Sequence, residues 1–256
     1  MEIYKKESLS DAFKIYFDKR MIKILLLGAI SGFPWVIIGS SLSLWLKEDG
    51  LSRSTIGWAG LIFAVYAFNY LWAPIVDRVR FPWLTNKIGH RRSWIVVMQS
   101  IILLSLFFWS LINPTANLAL VISVGLIIAI ASATQDITVD ALRIEQIGEH
   151  EGKSMQAGAA MAVVGWWTGY KLGGVIALNA AEYFQLKGFE NYWQITFLIL
   201  GTVVIACNIG LMFINESKTN ERKNNQLQTD NIIIEKLGYN NFLIKSFAWL
   251  TSTIIG

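Results

Sequence analysis

The chain has 256 residues, of which 54% are hydrophobic and 16% charged, with a formal net charge of +4. An ordinary soluble domain is about 25% charged, so this composition, with its mean hydropathy of +0.46, excludes a soluble globular protein and indicates a membrane protein. The single cysteine, Cys207, excludes a disulfide framework and a cysteine-based metal site.

Long stretches without charge predict the membrane-spanning helices, since one bilayer crossing needs roughly 20 residues. One stretch is about twice that length and is broken at Asn113-Pro114, so it predicts two helices and a tight turn. Another is interrupted only by Lys171. The stretches are 24–46, 54–76, 93–135, 155–181 and 191–215. The predicted fold class is therefore an all-α polytopic membrane protein with a six-helix bundle over residues 21–215.

Lysine and arginine residues are distributed unevenly between the two sides of this bundle. Short cytoplasmic loops are enriched in these residues. Eighteen lie in the N-terminal segment, the 2–3 and 4–5 loops and the tail, whereas the opposite side has only Lys47, Arg53 and Lys187. The bias predicts an inner-membrane protein with both termini in the cytoplasm. It also explains the basic pI without a nucleic-acid partner.

The two ends of the chain predict cytoplasmic segments. Residues 1–20 are charged and lack a small-residue cleavage site, which is not typical of a removable signal peptide. Residues 216–245 are rich in Lys, Asn, Gln and Glu and are typical of a solvated linker. Residues 246–256 begin a new apolar stretch. Six helices, a polar linker and the start of further helices are the plan of half a twelve-helix transporter, so a C-terminal six-helix half is the expected partner.

Polar residues inside a bilayer cost several kcal/mol unless they face protein or water, so their placement indicates function. The third and sixth helices are almost purely apolar, with Gln99 and Asn208 as exceptions, and are predicted to face lipid. The other four helices are predicted to line a cavity. Their polar candidates are Tyr66, Asn69, Gln135, Asp136, Asp140 and Lys171.

The fifth helix carries Gly165, Gly169 and Gly173 at four-residue spacing, with Gly174 next. Small residues at this spacing let two helix backbones approach closely. Two interpretations follow: tight packing against another helix, or a contact that moves between two halves of a transporter.

Charged residues flank the connection between the second and third helices. Asp77 and Arg78 end the second helix, and Gly89-His90-Arg91-Arg92 opens the third. This order resembles an element of major facilitator proteins, an acidic-basic pair followed by a glycine and a basic pair, and the resemblance implies a cytoplasmic gate that holds neighbouring helix ends together. The alternative is that the basic residues only set the orientation of the chain.

Four segments carry a resemblance to the AmpG-type muropeptide permeases, a branch of the major facilitator superfamily. They are GAISGFPWVI in the first helix, LWAPIVDR with GHRRSW around the 2–3 loop, ASATQDITVDA in the fourth helix and GYKLGG in the fifth. The resemblance implies proton-driven import of anhydromuropeptides, with helices one, two, four and five around the cavity. The fourth-helix pattern is also similar to that of acetyl-coenzyme A transporter relatives, so another anionic solute such as an acyl-coenzyme A is the alternative substrate.

Asp136 and Asp140 are predicted to share a face of the fourth helix, since they are four residues apart. Asp136 is expected about 27 Å from the outer end of that helix, level with Asp77, Arg78, Arg91 and Arg92. Three roles are open for the two acids: a gate bound to these arginines, proton coupling, or a surface pair between Asp140 and Arg143. Asp136 is the better proton candidate and Asp140 the better gate residue.

The remaining polar candidates are predicted to contact substrate. Gln135 could bind substrate or hydrogen-bond another helix, and Tyr66 and Asn69 would lie on the second helix. Lys171 is expected about 24 Å from the cytoplasmic face, too far from the aspartates to pair with them. It would bind the peptide carboxylates of a muropeptide; the alternative is that it extends to the outer interface.

The sequence contains little that is typical of an enzyme. His90 and His150 lack metal-ligand spacing, and the chain has no glycine-rich loop followed by lysine for nucleotide hydrolysis. No cofactor or metal is therefore expected. The rival to a transporter is a non-transporting membrane scaffold, which does not predict acids and a lysine on the helices around a cavity.

Overall fold

The computed structural model describes residues 14–147 and 151–216. Most of the predicted N-terminal segment, nearly all of the predicted linker and the apolar segment 246–256 lie outside the described residues. The described chain is helical, and no β-strand occurs in either of its two described stretches. The all-α prediction is confirmed.

Within residues 14–147 and 151–216, six long helices form a single bundle. Five of them are long and apolar enough to cross a membrane. The exception, α5, has 35 residues, and its glycines, aromatic residues and Lys171 lower its hydropathy. The helices are α1 (Lys19–Glu48), α2 (Arg53–Leu71 continued by Ala73–Arg78), α3 (His90–Trp109), α4 (Leu118–Ile147), α5 (Gly152–Leu186) and α6 (Tyr192–Leu211). The polytopic membrane fold predicted from the uncharged stretches is confirmed.

The α3–α4 connection contains the predicted break. The Asn113 side chain accepts hydrogen bonds from the backbone N–H of Thr115 at 2.9 Å and from its hydroxyl at 2.6 Å. Such an Asn-centred turn offers the backbone an alternative to the helix. Pro114 then follows without an N–H to continue the α3 ladder. These two residues divide one 43-residue uncharged run into two antiparallel spans.

Two helices are irregular in ways that the hydrophobic pattern does not predict. In α1, Pro34 lacks the N–H needed for a regular helix, and a π-helical stretch follows at Val36–Ser41. In α2, 3-10 stretches occur at Gly60–Ala64 and Asn69–Leu71. The α2 chain is interrupted at Trp72 before Ala73–Arg78 begins. Helix α2 is also the least buried span, so few contacts hold it regular.

Helices α1 and α5 run parallel and touch along a glycine seam, defined here as Gly28, Gly32, Gly165, Gly169 and Gly173. A Cβ atom added at Gly165 or Gly169 would overlap a backbone carbonyl of α1, and one at Gly28 or Gly32 would overlap a carbonyl of α5. The two backbones are thus in direct contact. The tight-packing interpretation of the α5 glycines is confirmed, and two α1 glycines complete the seam.

The two ends of the bundle differ in chemistry. At one end, termed the Glu48 end, the Glu48 carboxylate accepts hydrogen bonds from Tyr192 Oη at 2.9 Å and Trp193 Nε1 at 2.6 Å. These bonds join the end of α1 to the start of α6. At the other end, termed the Arg91 end, the ionic contacts described below join α1 to α5 and α2 to α3 and α4.

Candidate functional site

Asp136 lies at the contact between α1 and α4, inside the bundle. It is half-buried, and the Ser31 hydroxyl of α1 donates a hydrogen bond to its carboxylate. The indole of Trp35 and the side chain of Tyr66 lie beside it. Asp136 precedes the end of α4 by eleven residues, which places it about 16 Å from the Arg91 end. It therefore occupies an intramembrane position.

Five aromatic side chains form the aromatic cluster, and two of them, Trp35 and Tyr66, lie beside Asp136. Its members are Trp35, Phe63, Tyr66, Trp166 and Tyr170. The ring of Trp35 lies 5.0 Å from Phe63, 4.6 Å from Tyr66 and 5.4 Å from Trp166. Trp166 and Tyr170 stack nearly parallel, 5.6 Å apart at an interplanar angle of 4°. Helices α1, α2 and α5 thus contribute to one cluster of rings that reaches Asp136 through Trp35 and Tyr66.

The buried polar atoms near Asp136 are incompletely hydrogen-bonded. Gln135 Oε1 has no hydrogen-bond partner within the described stretches. Trp35 Nε1 interacts with Asp136, and Tyr66 Oη with Ser132 Oγ, but none of these contacts has regular hydrogen-bond geometry. Because buried polar groups are normally satisfied, this set of atoms is consistent with a site that receives a polar ligand or water.

The predicted substrate ligands near Asp136 differ in their surroundings. Gln135 is fully buried, and its Nε2 donates a 3.0 Å hydrogen bond to the carbonyl of Ile30. That bond is the helix–helix contact that the sequence allowed as an alternative to substrate binding. Tyr66 and Asn69 are half-buried on α2, and Tyr66 alone belongs to the aromatic cluster.

The side chain of Arg91 connects three helices at the Arg91 end. Its Nη1 contacts Asp77 at the end of α2, and its Nε donates to Glu145 of α4 at 3.2 Å. The side chain is only 8% exposed. His90 donates from Nε2 to the carbonyl of Val76 at 3.0 Å and adds a second link to α2. Asp77 and Arg91, two predicted gate residues, are therefore in contact.

Asp140 lies outside this contact. It is exposed and forms an i, i+3 pair with Arg143 at 3.3 Å, the surface pair that the sequence left open. The expected common level of the acids and arginines is not observed, because α4 continues to Ile147 and brings Glu145 to the level of Arg91. The sequence analysis assigned no role to Glu145, which lies nine positions after Asp136.

Gly89 and Glu216 shape the start of α3. Gly89 has φ +98, a conformation that favours glycine. The Glu216 carboxylate accepts hydrogen bonds of 3.0 Å from the backbone N–H groups of His90, Arg91 and Arg92. Arg92 also donates to the carbonyl of Met212 at 3.5 Å, and Arg78 lies half-buried at the end of α2. Nothing in the sequence pattern indicated that Glu216 caps α3.

Arg20 connects the start of α1 to the start of α5. Its guanidinium donates to Glu151 at 2.8 and 3.0 Å, to Asp18 at 2.9 Å and to the carbonyl of Ile147 at 3.4 Å. The hydrogen bonds from Arg20 hold the pKa values of Asp18 and Glu151 below their usual range. Sequence reasoning treated Arg20 only as a topology signal.

Lys171 is exposed on the face of α5 away from the glycine seam. Its Nζ lies 5.8 Å from the ring of Trp167, and it makes no ion pair in the part of the chain that the structure describes. Nineteen residues separate it from the start of α5, so it lies about 28 Å from the Arg91 end. This depth agrees with the prediction that Lys171 and Asp136 are not paired. Among residues 14–147 and 151–216, no group of His, Cys, Asp and Glu could hold a metal ion.

The sequence profile described as Major Facilitator Superfamily matches residues 24–256. The chain belongs to the Major Facilitator Superfamily. This membership is consistent with the long apolar helices of the described residues.

Curated relatives within this superfamily confirm the resemblance to AmpG-type proteins. The chain is 34% identical over 212 residues to putative transporter AmpG 4 of Rickettsia felis, covering 83% of this chain and 49% of the relative. It is 32% identical to putative transporter AmpG 4 of Rickettsia conorii, covering 92% and 55%. It is 29% identical to the anhydromuropeptide permease of Escherichia coli (strain K12), covering 76% and 38%. The chain thus spans about half the length of the curated relatives it matches.

Proposed function

We propose that this chain binds anhydromuropeptides and takes part in their proton-coupled import across the inner membrane. Two of its relatives are named putative transporter AmpG 4 and anhydromuropeptide permease, and these names support this substrate class. The basic residues of the predicted cytoplasmic side support an orientation with both termini in the cytoplasm. Because the chain covers about half of each relative, a second six-helix unit is the proposed partner in transport.

The observation that carries the proposal is Asp136, held by Ser31 beside the aromatic cluster. A muropeptide joins sugar rings, which have apolar faces, to a peptide with polar and charged groups. Ligand sites typically combine aromatic walls with a few placed polar groups. The parallel rings of Trp166 and Tyr170 suit a sugar face, and the open polar atoms near Asp136 suit its hydroxyl and amide groups.

Asp136 is the proposed proton carrier. Carboxyl groups inside membrane bundles are costly and are typical of proton relays. Ser31 donates to the carboxyl group of Asp136, and protonation of an ionised Asp136 would weaken that α1–α4 bond. Proton binding would therefore be linked to the packing of α1 on α4, the two helices that bring Asp136 to the aromatic cluster. Asp140 stays a prediction in the proton-coupling role, although its exposed pair with Arg143 favours a surface role.

Arg91, Asp77 and Glu145 are the proposed cytoplasmic gate, together with the neighbouring Arg78 and Arg92. Charge-assisted hydrogen bonds can hold helix ends closed and separate when a transporter opens. Glu145 takes the position at Arg91 that the sequence assigned to Asp140. Tyr66 and Asn69 on α2 and Lys171 on α5 remain proposed substrate ligands, and Gln135 could add its open Oε1.

The test uses Asp136→Asn, with Asp140→Asn as the matched control on the same helix. The chain would be placed in lipid nanodiscs, and binding of a radiolabelled anhydromuropeptide measured between pH 5.5 and 8. We expect wild type and Asp140→Asn to bind with the same pH dependence, and Asp136→Asn to bind with none. Equal pH dependence in all three proteins would refute the role of Asp136. Absence of binding in wild type, together with absence of uptake in cells lacking their own permease, would refute the substrate.

A further inference from the structure

An apolar groove lies on the outside of the bundle, where α2 separates from α3 and exposes α4 between them. It has a volume of about 500 Å³ and is lined almost entirely by carbon. Ile75, Ile127 and Ile130 on its walls are each more than two-fifths exposed. Its lining includes Trp72, Val76, Trp94, Met98, Ile101 and Ala131. Inside a membrane, such a surface is covered by lipid chains or by another apolar protein surface.

The groove follows α3 from Trp94 to Ile101 and α4 from Ile127 to Thr134, eight residues in each case. The seven steps between the first and last of these residues rise by about 10 Å. Because α3 and α4 are antiparallel, Thr134 lies at the same end of the groove as Trp94, and there Trp72 Nε1 donates a 3.0 Å hydrogen bond to Thr134 Oγ1. A helix segment about 10 Å long, and about 10 Å in diameter with its side chains, would occupy more than the volume of this groove. A hydrocarbon chain therefore fits the volume better than a second helix does.

The Trp94 end of the groove adjoins a basic segment. From Asp77 to Arg92 the chain has five basic residues and one acidic residue, and of the basic ones Arg91 is enclosed by Asp77 and Glu145. Two contacts attach this segment to the groove: Trp94 Nε1 donates to the carbonyl of Val79 at 2.9 Å, and the Phe81 ring packs on Trp94 at 4.9 Å. Arg78 and Arg80 adjoin Val79 on either side. The positive charges of Arg78 and Arg80 therefore lie at the Trp94 end of the apolar groove.

The short helix Pro82–Ile88 adds an interfacial element to this end of the groove. Trp83 is 70% exposed, and Lys87 Nζ lies 4.0 Å from its ring centroid. Tryptophan favours the membrane–water interface, and a lysine extends to the headgroup level. The helix Pro82–Ile88 is therefore expected to lie at the depth of the lipid headgroups.

We propose that the groove binds one acyl chain of an anionic glycerophospholipid, whose phosphate-bearing headgroup contacts the basic segment. Each Lys or Arg near an anionic membrane surface contributes about 1 kcal/mol of attraction. The bound lipid would fill the gap between α2 and α3, next to Val76 and the gate contacts at Asp77 and Arg91. The bound lipid would therefore stabilise the position of α2 in which Asp77 contacts Arg91.

A second apolar groove provides an internal control. It lies between α3 and α6, has a volume of about 330 Å³, and is lined by residues that include Leu103, Phe107, Leu198 and Ile205. None of its lining residues is charged, and it lies farther from the basic segment along α3. The second groove should therefore bind lipids with equal affinity whatever their headgroup.

The experiment is photolabelling of the full chain in nanodiscs with phosphatidylglycerol or phosphatidylcholine carrying a diazirine in one acyl chain. Peptides from the α2–α3–α4 groove should be labelled preferentially by phosphatidylglycerol, and those from the α3–α6 groove equally by both. Arg80→Gln and Lys87→Gln should each lower the preference by about fivefold. Lys187→Gln, at the opposite end of the bundle, should leave it unchanged. Ile130→Trp should reduce labelling of the first groove by filling it.

Equal labelling of the first groove by both lipids would overturn the proposal. So would labelling that Ile130→Trp leaves intact while far-ultraviolet circular dichroism shows a folded protein. An Ile75→Cys variant that forms a disulfide-linked dimer, with no lipid labelling, would assign the groove to a second copy of the chain instead.

Discussion

Arg91, the second residue of α3, donates a 3.2 Å hydrogen bond to Glu145 near the end of α4. Because the Arg91 side chain is almost fully enclosed, its charge depends on Glu145 and on Asp77 of α2 for compensation. Removing one partner of an enclosed charge costs about 1–3 kcal/mol. The pair thus connects the stability of this end of the bundle to the mutual position of α2, α3 and α4.

The first prediction is that Arg91→Ala and Glu145→Gln are not additive. Each change should lower the thermal unfolding temperature of the chain in detergent, and the double variant should lower it by less than the sum. The expected coupling is about 0.5–3 kcal/mol. Asp140→Asn combined with Arg91→Ala should be additive, because Asp140 pairs with Arg143 instead. Coupling of Arg91 to Asp140 but not to Glu145 would contradict this arrangement.

The second prediction concerns the glycine seam. Gly169→Ala should separate α1 from α5, because the added Cβ would overlap the backbone carbonyl of Ala29. Overpacking of this kind costs about 1–3 kcal/mol, so the unfolding temperature should fall. Gly174→Ala is the matched control on the same helix, since an added Cβ there meets nothing within 4 Å. It should be neutral or stabilising, because alanine is the better helix former. Equal effects of both changes would show that the seam is not a close contact.

The third prediction is a pH dependence from Arg20. Its hydrogen bonds lower the pKa of Asp18 from 3.8 and that of Glu151 from 4.5. A lowered pKa in the folded state means that the stabilisation is complete above these ordinary values and is lost as the pH falls through the lowered ones. Wild type should therefore unfold at a higher temperature than Arg20→Gln, by a constant difference near neutral pH. This difference should begin to shrink below about pH 4.

Arg53→Gln is the control for this experiment, because Arg53 is exposed at the Glu48 end. Its effect on the unfolding temperature should be small at every pH. A difference between wild type and Arg20→Gln that stayed constant down to pH 3 would show that the two acids do not contribute through Arg20.

The fourth prediction concerns Lys171. Its charge within α5 is costly in hydrocarbon, by about 2.5–3.5 kcal/mol on insertion scales. If it binds the anionic end of the substrate, Lys171→Met should weaken binding of a labelled anhydromuropeptide while the chain inserts and accumulates normally. Lys171→Arg should retain binding, because both cations attract carboxylates.

Lys187→Met offers a close comparison for Lys171→Met. Both lysines lie near an aromatic ring four residues earlier, at 5.8 Å for Lys171 and 5.7 Å for Lys187. Lys187 lies beyond the end of α5, so its loss should leave substrate binding unchanged. Wild-type affinity in Lys171→Met would remove Lys171 from the site.

The hydrophobic pattern predicted the helices well because bilayer thickness imposes a minimum length on every span. Apolar stretches, one of them interrupted by Lys171, located the six helices, and Asn113-Pro114 located the α3–α4 break. The pattern underestimated α4, however. Its last turns leave the apolar stretch, so nothing in hydropathy distinguishes a helix that continues to Ile147 from one that ends near Asp140. That difference decides which acid meets Arg91.

Contacts between residues distant in sequence limited the prediction of the site. A helical period places Asp136 on α4 but does not specify that Ser31 of α1, 105 residues earlier, donates to it. The same holds for the aromatic cluster, whose members come from three helices. The glycine spacing of α5 predicted a close helix contact although the partner helix was not known. Close approach of two helices needs small residues whichever helix lies opposite.

The cap formed by Glu216 has a mechanical consequence. Its carboxylate is attached to three consecutive amides at the start of α3, and the neighbouring side chain of Arg91 reaches α2 and α4. Tension on the chain that follows residue 216 would therefore be delivered to the first turn of α3 and not only to α6, its nearest helix in sequence. A force applied outside the bundle would thus reach α3 through Glu216, and α2 and α4 through Arg91.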